Sequence, residues 1–332
     1  MRLLKHMVLG LAGVAIAAGL AGKAEAQWQP RQPIELIIPA GTGGGADQIA
    51  RLLQSLVQKK ELSPMPIIPI NKPGGSGGEG YLYMQQNAGD DHKLLVTLNS
   101  FYTTPLIQTD LGIDVNQFTP IKLMGMDTFL LWVPSDYEVG SLEDYVTAVR
   151  DKGRAWKMGG TGSGQEDSIL TAMIEAEFDL DMTYVPFEGG GTVAKNLVGK
   201  HIDSTVNNPA EQNEFWRAGQ SKPLVQFTDE RMDLFPDVPT AKELGVDIVY
   251  FMQRSINGPP GMSEEAQAYY IDLFSKVFAS EEWQNYCESE GMFCDEDVAK
   301  LQGEALGEFH DEQLARHKKL IEEVGADAIT SE

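Results

Sequence analysis

Cysteine, histidine and basic side chains are scarce in this sequence. Two cysteines and five histidines occur in 332 residues, and 26 Lys and Arg face 49 Asp and Glu, for a formal net charge of −23. So acidic a chain is a poor partner for nucleic acid or an anionic membrane surface. The acidity reads as a solvated surface. It does not bar an anionic ligand, because donors gathered in a cleft outweigh charges screened over about 8 Å. Catalytic and metal signatures are missing too. His92, His201, His310 and His317 form no H-E-x-x-H pattern, and His310 and His317 are expected in solvent on a charged helix. Asp179 and Asp181 lack the rest of a calcium loop. Gly162-Ser163-Gly164 fails the nucleophile-elbow pattern because Thr161 stands where its first glycine would. No metal, cofactor or catalytic residue is expected, and the chain does not read as an enzyme.

Long apolar runs are absent as well, apart from the start. Arg2 and Lys5 precede an apolar run from Met7 to Leu20, and Ala24-Glu25-Ala26 closes it. That is the layout of a secretory signal peptide, residues 1–26, cleaved after Ala26. The run is too short for an anchor, and no later stretch approaches the roughly 18 apolar residues of a membrane span. No cysteine follows the run to carry a lipid. The mature protein is therefore expected free in the periplasm, beginning at Gln27 with 23 basic and 48 acidic side chains. In that oxidising compartment Cys287 and Cys294 are expected to bond to each other. The chain-entropy model gives so short a loop about 2.5 kcal/mol.

What is present is an alternation of strand and helix. Strands are predicted at Ile34–Pro39, Ile67–Asn71 and Leu94–Leu98, with helices over Asp47–Lys60 and Tyr81–Asn87 between them. Ile49, Leu52, Leu53, Leu56 and Val57 carry the helical period of the first. A second set follows: strands at Phe129–Val133, up to Gly159, Met182–Pro186, Ile202–Val206, Leu224–Phe227 and Asp247–Phe251. Helices open at Ser141, a good N-cap, and at Ser168. Beyond Pro259-Pro260-Gly261 the chain reads as helical, with Leu314, His317, Lys318 and Ile321 on one late helix. The pattern is α/β, with parallel sheets in two halves and a helical tail.

Glycine clusters at three strand-to-helix turns: Ala40–Asp47, Gly159–Gln165 and Glu188–Thr192. In open parallel sheets ligands sit beyond the carboxyl ends of the strands. There glycine lets the backbone approach a ligand, and the helix start offers free N–H groups and a partial positive charge. Several such starts converging would bind a carboxylate. Gly41-Thr42-Gly43-Gly44-Gly45-Ala46 also fits G-x-G-x-x-A, but Asp47 would face the pyrophosphate and no acidic residue ends the second strand. A dinucleotide site is therefore not expected.

Ile37-Ile38-Pro39-Ala40 with Gly43-Gly44-Gly45, Asp47 and Arg51 resembles the opening motif of the Bug-type (TctC-like) receptors of tripartite tricarboxylate transporters. So do Asn71-Lys72-Pro73-Gly74-Gly75-Ser76-Gly77, Pro186-Phe187-Glu188-Gly189-Gly190-Gly191, and Phe235-Pro236-Asp237-Val238-Pro239-Thr240 with Glu243-Leu244-Gly245. The resemblance implies a type II periplasmic-binding-protein fold, two α/β lobes joined by crossing strands with the helical C-terminus packed on lobe one. It divides the mature chain into 27–127 (lobe one), 128–252 (lobe two) and 253–332 (return to lobe one). It implies a monomer that binds a small organic acid and hands it to the membrane subunits of such a transporter. A sensor presenting its closed form to a membrane kinase, or a periplasmic enzyme on the same fold, would be built alike.

The ligand residues implied are Thr42, Gly43, Gly44, Gly45 and Asp47 from lobe one, and Gly160, Thr161, Gly162, Ser163, Gly164, Gln165, Phe187, Asn207 and Asn208 from lobe two. Many relatives have a histidine shortly after the second glycine loop, where this chain has Gln165-Glu166-Asp167. Ser100, Phe101 and Tyr102 lie at a polar, aromatic strand end, where the rings would stack on an aromatic acid or fill the core. Arg254 would pair with a second carboxylate, or be a hinge or surface arginine. Asp47 would meet a ligand amine or fasten its own loop.

Overall fold

The structure, a computed structural model, describes residues 28–330, so the signal segment lies outside the described residues. Strands β1 (Ile34–Ile38), β2 (Ile67–Asn71) and β3 (Lys93–Val96) alternate with helices α1 (Gly45–Lys59), α2 (Gly78–Gln86) and α3 (Ser100–Ile107). Strand β4 (Thr119–Thr128) follows, and Phe129 alone separates it from β5 (Leu130–Pro134) in a second sheet. That sheet is completed by β6 (Lys157–Thr161), β7 (Thr183–Phe187), β8 (Ser204–Thr205) and β9 (Ser221–Gln226). Helices α4 (Leu142–Lys152), α5 (Glu166–Phe178), α6 (Gly190–Val198) and α7 (Pro209–Arg217) lie between those strands. The chain then returns to the first sheet through β10 (Phe251–Gly258).

Both sheets follow one plan. The orders are β2-β1-β3-β10-β4 and β7-β6-β8-β5-β9. In each, three parallel strands adjoin an antiparallel pair. Helix α1 shows why the lobes form: Ile49, Leu53, Leu56 and Val57 recur at helical spacing and are all buried. Each such side chain contributes about 1.5–3 kcal/mol on burial.

Helices α8 (Glu264–Phe278), α9 (Glu281–Glu290), α10 (Glu296–Lys300), α11 (Glu304–Val324) and α12 (Ala326–Thr330) form the tail. Cys287 of α9 is joined to Cys294. The tail packs on lobe one through α8 and α11 against β4, but it also reaches lobe two, where α11 and α12 pack on α5. Ile329, in the last turn, is buried in the core.

Three expectations need correction. The segment Asn99–Thr104 is not a strand end: Ser100 to Ile107 is helix, with Pro105 in its last turns. The strand expected at Asp247–Phe251 begins only at Phe251, and it runs to Gly258 in the sheet of lobe one. His310 and His317 are buried, not solvated. Their helix is charged on its outer face, yet its inner face lies on α3. There Tyr102 Oη sits 2.6 Å from His310 Nδ1 and the Tyr102 ring stacks on His317 at 5.2 Å.

Candidate functional site

The starts of α1, α3, α5, α6 and α7 meet where the lobes face each other, and the loops that open them touch directly. Gly41 N donates to the Glu188 carbonyl at 2.8 Å. Ser76 Oγ donates to the Ser163 carbonyl and Thr103 Oγ1 to the Gly164 carbonyl, both at 2.9 Å. Gln48 Nε2 reaches the Ala210 carbonyl at 3.3 Å. The glycines make this fit possible. Gly43 adopts φ +80°, a left-handed conformation suited to glycine, and a Cβ on Gly191 would stand 2.4 Å from the Gly43 oxygen. The first and third glycine loops are thus packed backbone to backbone.

Between the lobes remains an inner cavity of about 20 Å³, room for about one water. Gly44, Gly45, Thr161, Gln165, Asn208 and Arg254 of the expected residues line it. An outer groove of about 500 Å³ opens beside it, lined by Pro73–Ser76, Gly162, Pro186, Phe187, Glu188 and Thr192, with Gln165 again on the wall. Among the described residues four buried side-chain polar atoms lack a hydrogen-bond partner. Two of them, Thr161 Oγ1 and Arg254 Nη1, belong to residues on the wall of the inner cavity, and a third, Ser163 Oγ, belongs to the loop whose carbonyl meets Ser76 across the seam.

Arg254 is not a surface residue. It is 1 % exposed, at a register shift in the β4–β10 pair. Its Nε and Nη2 donate to Asp127 Oδ2 at 3.1 and 2.6 Å, and Nη2 also reaches Asn208 Oδ1 at 3.2 Å. Its carboxylate partner is the protein's own. Asp47 likewise fastens its loop, accepting from Gly43 N at 2.9 Å and from Arg51 Nη2 at 2.8 Å. Burial pulls its carboxyl upward, but the bonds from Arg51, Gly43 N and Asn71 win and hold it below the usual range.

Other expected residues lie off the cavity. Phe101 is fully buried among Tyr81, Phe118 and His310, ring centroids 5.2–5.8 Å away, and Tyr102 is equally enclosed. Both rings fill the core of lobe one. Ser100 Oγ bonds Tyr81 Oη. Asn207 bonds Glu211, Gln212 and the Trp132 indole through its side chain and carbonyl. Gly160 lies under the Tyr184 ring, and Thr42 and Gly43 are exposed.

Sequence reasoning missed three carboxylates that line the cavity: Glu166, Asp167 and Glu211. Glu166 Oε1 accepts from Ser100 N, at the start of α3, at 2.5 Å. Asp167 Oδ2 accepts from Thr161 N at 2.8 Å. Glu211 Oε1 accepts from Gly45 N, at the start of α1, at 3.1 Å, and Oε2 from Asn207 Nδ2 at 2.7 Å. Burial pushes all three carboxyls up. The signals were present in Gln165-Glu166-Asp167, the departure from the family pattern noted above, and in Asn208-x-x-Glu211, a capping-box spacing.

The same architecture recurs in known proteins. The sequence is 27% identical over 322 residues to a protein of Cupriavidus necator, "UPF0065 protein in gbd 5'region", covering 95% of each chain. The fold matches the periplasmic binding protein BugD with a TM-score of 0.84 at 19% identity, over 90% of this chain and 99% of BugD. It matches malate-bound MatC of Rhodopseudomonas palustris with a TM-score of 0.80 at 21% identity, over 88% and 99%. The model of the tripartite tricarboxylate transporter family receptor matches residues 49–326, most of the chain, and this protein therefore belongs to that receptor family.

Proposed function

We propose that this chain is a periplasmic receptor that closes its two lobes around a small organic carboxylate and delivers it to the membrane subunits of a tripartite tricarboxylate transporter. The lobes are assigned as 27–127 with 253–332, and 128–252. The observation that carries the reading is the trio of unpartnered buried groups between the lobes: Thr161 Oγ1, Ser163 Oγ and Arg254 Nη1. Buried donors without partners cost about 1–3 kcal/mol each, and an oxygen-rich ligand relieves that cost. Micromolar affinity needs about 8 kcal/mol. Three or four hydrogen bonds to a charged group, at about 1.5–3 kcal/mol each, are of that order before ordering costs. A cavity this small must widen to admit a ligand, so binding shifts the protein between lobe arrangements.

The experiment is a thermal-shift screen of residues 27–332 against a panel of organic acids, with each acid assayed for chemical change afterwards. A ligand that binds only the folded state at a hundredfold excess over Kd raises stability by about 2.7 kcal/mol. Shifts with a related group of acids, recovered unaltered, support the receptor. Turnover of an acid, or no shift with any, contradicts it.

A further inference from the structure

Asn213 Oδ1 is the fourth buried side-chain atom without a hydrogen-bond partner, and Asn213 lines neither the inner cavity nor the outer groove. The residue lies on α7 in lobe two and is 2 % exposed. Its side-chain bonds leave that lobe: Nδ2 donates to Glu290 Oε2 at 2.7 Å and to the Ser289 carbonyl at 3.4 Å. Both acceptors belong to the loop that the Cys287–Cys294 bond closes. One end of this loop is fixed to lobe one. Phe293 and Met126 exchange two backbone hydrogen bonds of 2.9 Å, and Cys294 Sγ reaches the Met124 carbonyl at 3.4 Å. Met292 Sδ covers Gly125, where a Cβ would stand 2.7 Å away. The apex faces the other lobe. A Cβ on Gly291 would stand 3.3–3.6 Å from Met232, Leu234 and Pro209, all of lobe two. The Gly291 carbonyl also accepts from Thr128 Oγ1 at 3.4 Å, where the chain first crosses between the lobes.

We propose, resting on the receptor reading above, that this disulfide-closed loop braces the two lobes, and that Glu290 and Asn213 are positioning residues for ligand capture. The bond ties the ends of a short loop, and Met292 N donates to the Cys287 carbonyl at 2.8 Å inside it. The apex is therefore offered to α7 as a fixed edge. Helix α7 is the one whose first turn reaches the inner cavity, through Asn208 at its cap and Glu211. From there Asn208 Oδ1 accepts from Arg254 Nη2, and Glu211 Oε1 accepts from Gly45 N of lobe one. Asn213 lies two residues beyond Glu211, so a bond that holds Asn213 also sets how far the start of α7 leans on lobe one. Separating the lobes at this seam takes both acceptors from Asn213 Nδ2, whereas the arrangement with the small inner cavity keeps them. The brace favours the arrangement that encloses a ligand without touching the ligand. Apparent affinity scales with the fraction of molecules in the binding-competent arrangement, so loosening the brace weakens binding from a distance.

Reduction and substitution test this separately in residues 27–332. Reduction by a phosphine, with two free thiols counted per chain, and Glu290→Ala should each loosen the seam. Glu290→Gln keeps an acceptor for Asn213 Nδ2 and should match the unaltered protein. The lobe arrangement is read by small-angle X-ray scattering without ligand, and affinity by calorimetry with the strongest acid from the screen. The expected result is a larger radius of gyration and at least fivefold weaker binding, both for the reduced protein and for Glu290→Ala. Reducing Glu290→Ala should weaken binding by less than a further twofold, because both changes break one brace. Unchanged scattering or unchanged affinity overturns the brace, leaving the bond as a staple of the tail and the receptor reading standing. Equal losses in Glu290→Ala and Glu290→Gln overturn the part given to the hydrogen bond. If no acid binds, the receptor reading falls, and scattering of Glu290→Ala against the unaltered protein still decides the brace. The same comparison decides if circular dichroism shows that the reduced protein unfolds.

Discussion

Replacing Arg254 by Met tests the buried centre of the fold. The guanidinium is 1 % exposed and its partner Asp127 carboxylate is 4 % exposed, with Nη2 and Oδ2 only 2.6 Å apart. Arg254→Met removes two donors from Asp127 Oδ2 and one from Asn208 Oδ1. Asp127 then keeps the Thr128 N–H at 2.9 Å, on its other oxygen. Breaking a buried pair from one side costs about 3–5 kcal/mol, because the remaining charge is stranded away from water. Methionine fills most of the stem volume, so little of the loss is cavity. Removing both charges together is different: Arg254→Met/Asp127→Leu should recover at least half of the single-variant loss, since an apolar pair of similar volume is often neutral. Urea unfolding at pH 7 of the unaltered protein, the single variant and the double variant reads both values. A single variant within about 1 kcal/mol of the unaltered protein would refute the account of Arg254 as a buried structural cation. So would a double variant less stable than the single one.

Three other perturbations have defined outcomes. Reducing the Cys287–Cys294 bond, or Cys287→Ser/Cys294→Ser, should cost about 2.5 kcal/mol by the chain-entropy relation for a separation of 7 residues, read from unfolding curves with and without reductant. Burial holds His310 down at about 3 and His317 at about 4, whereas an unfolded histidine titrates near 6.5. The unfolded chain therefore takes up these protons first: the stability is complete above about pH 6.5 and falls by about 1.4 kcal/mol per unit and per histidine towards the folded values. Glu166, Asp167 and Glu211, pushed up by burial, act in the opposite direction. The histidine share is thus isolated by comparing the pH slope of unfolding free energy between the unaltered protein and His310→Gln; identical slopes would contradict it. Gly191→Ala puts a Cβ 2.4 Å from the Gly43 oxygen across the seam. It should weaken binding of the strongest screened acid at least tenfold while unfolding of the ligand-free protein moves by less than about 1 kcal/mol. Unchanged affinity would contradict a closed-lobe binding state.

The first strands and helix of lobe one were legible because their apolar residues follow a simple period. Ile34–Ile38 and Ile67–Asn71 read as strands, and Ile49, Leu53, Leu56 and Val57 trace the buried face of α1. The strands that carry the chain between lobes were not. β4 and β10 bury Lys122, Asp127, Thr128, Gln253, Arg254, Ser255 and Asn257, whose partners lie far away in sequence, so no local pattern marks them as core. Lys122 illustrates the problem: burial lowers its ammonium to about 8, and the Ala299 carbonyl of α10 receives it at 2.8 Å. Helix α3 was hidden by Thr103, Thr104 and Pro105, poor helix formers that tertiary packing overrides. The glycine loops come together between the lobes, but their sequence does not show what fills the space there. Glycine at a helix start reads as room for a ligand, whereas here much of that room is taken by the opposite lobe's backbone and by Glu211.

The central claim is that a small carboxylate is held between the lobes by the groups left without protein partners. The most direct measurement is calorimetric titration of the strongest acid from the screen into residues 27–332 and into Thr161→Val/Ser163→Ala/Arg254→Met. With three bonds of about 1.5–3 kcal/mol removed, the account predicts one site per chain in the unaltered protein and at least a hundredfold weaker binding in the variant. The variant must retain its folded circular-dichroism spectrum for that loss to count as lost contact. Equal affinity in the two proteins would place the ligand elsewhere and contradict the account.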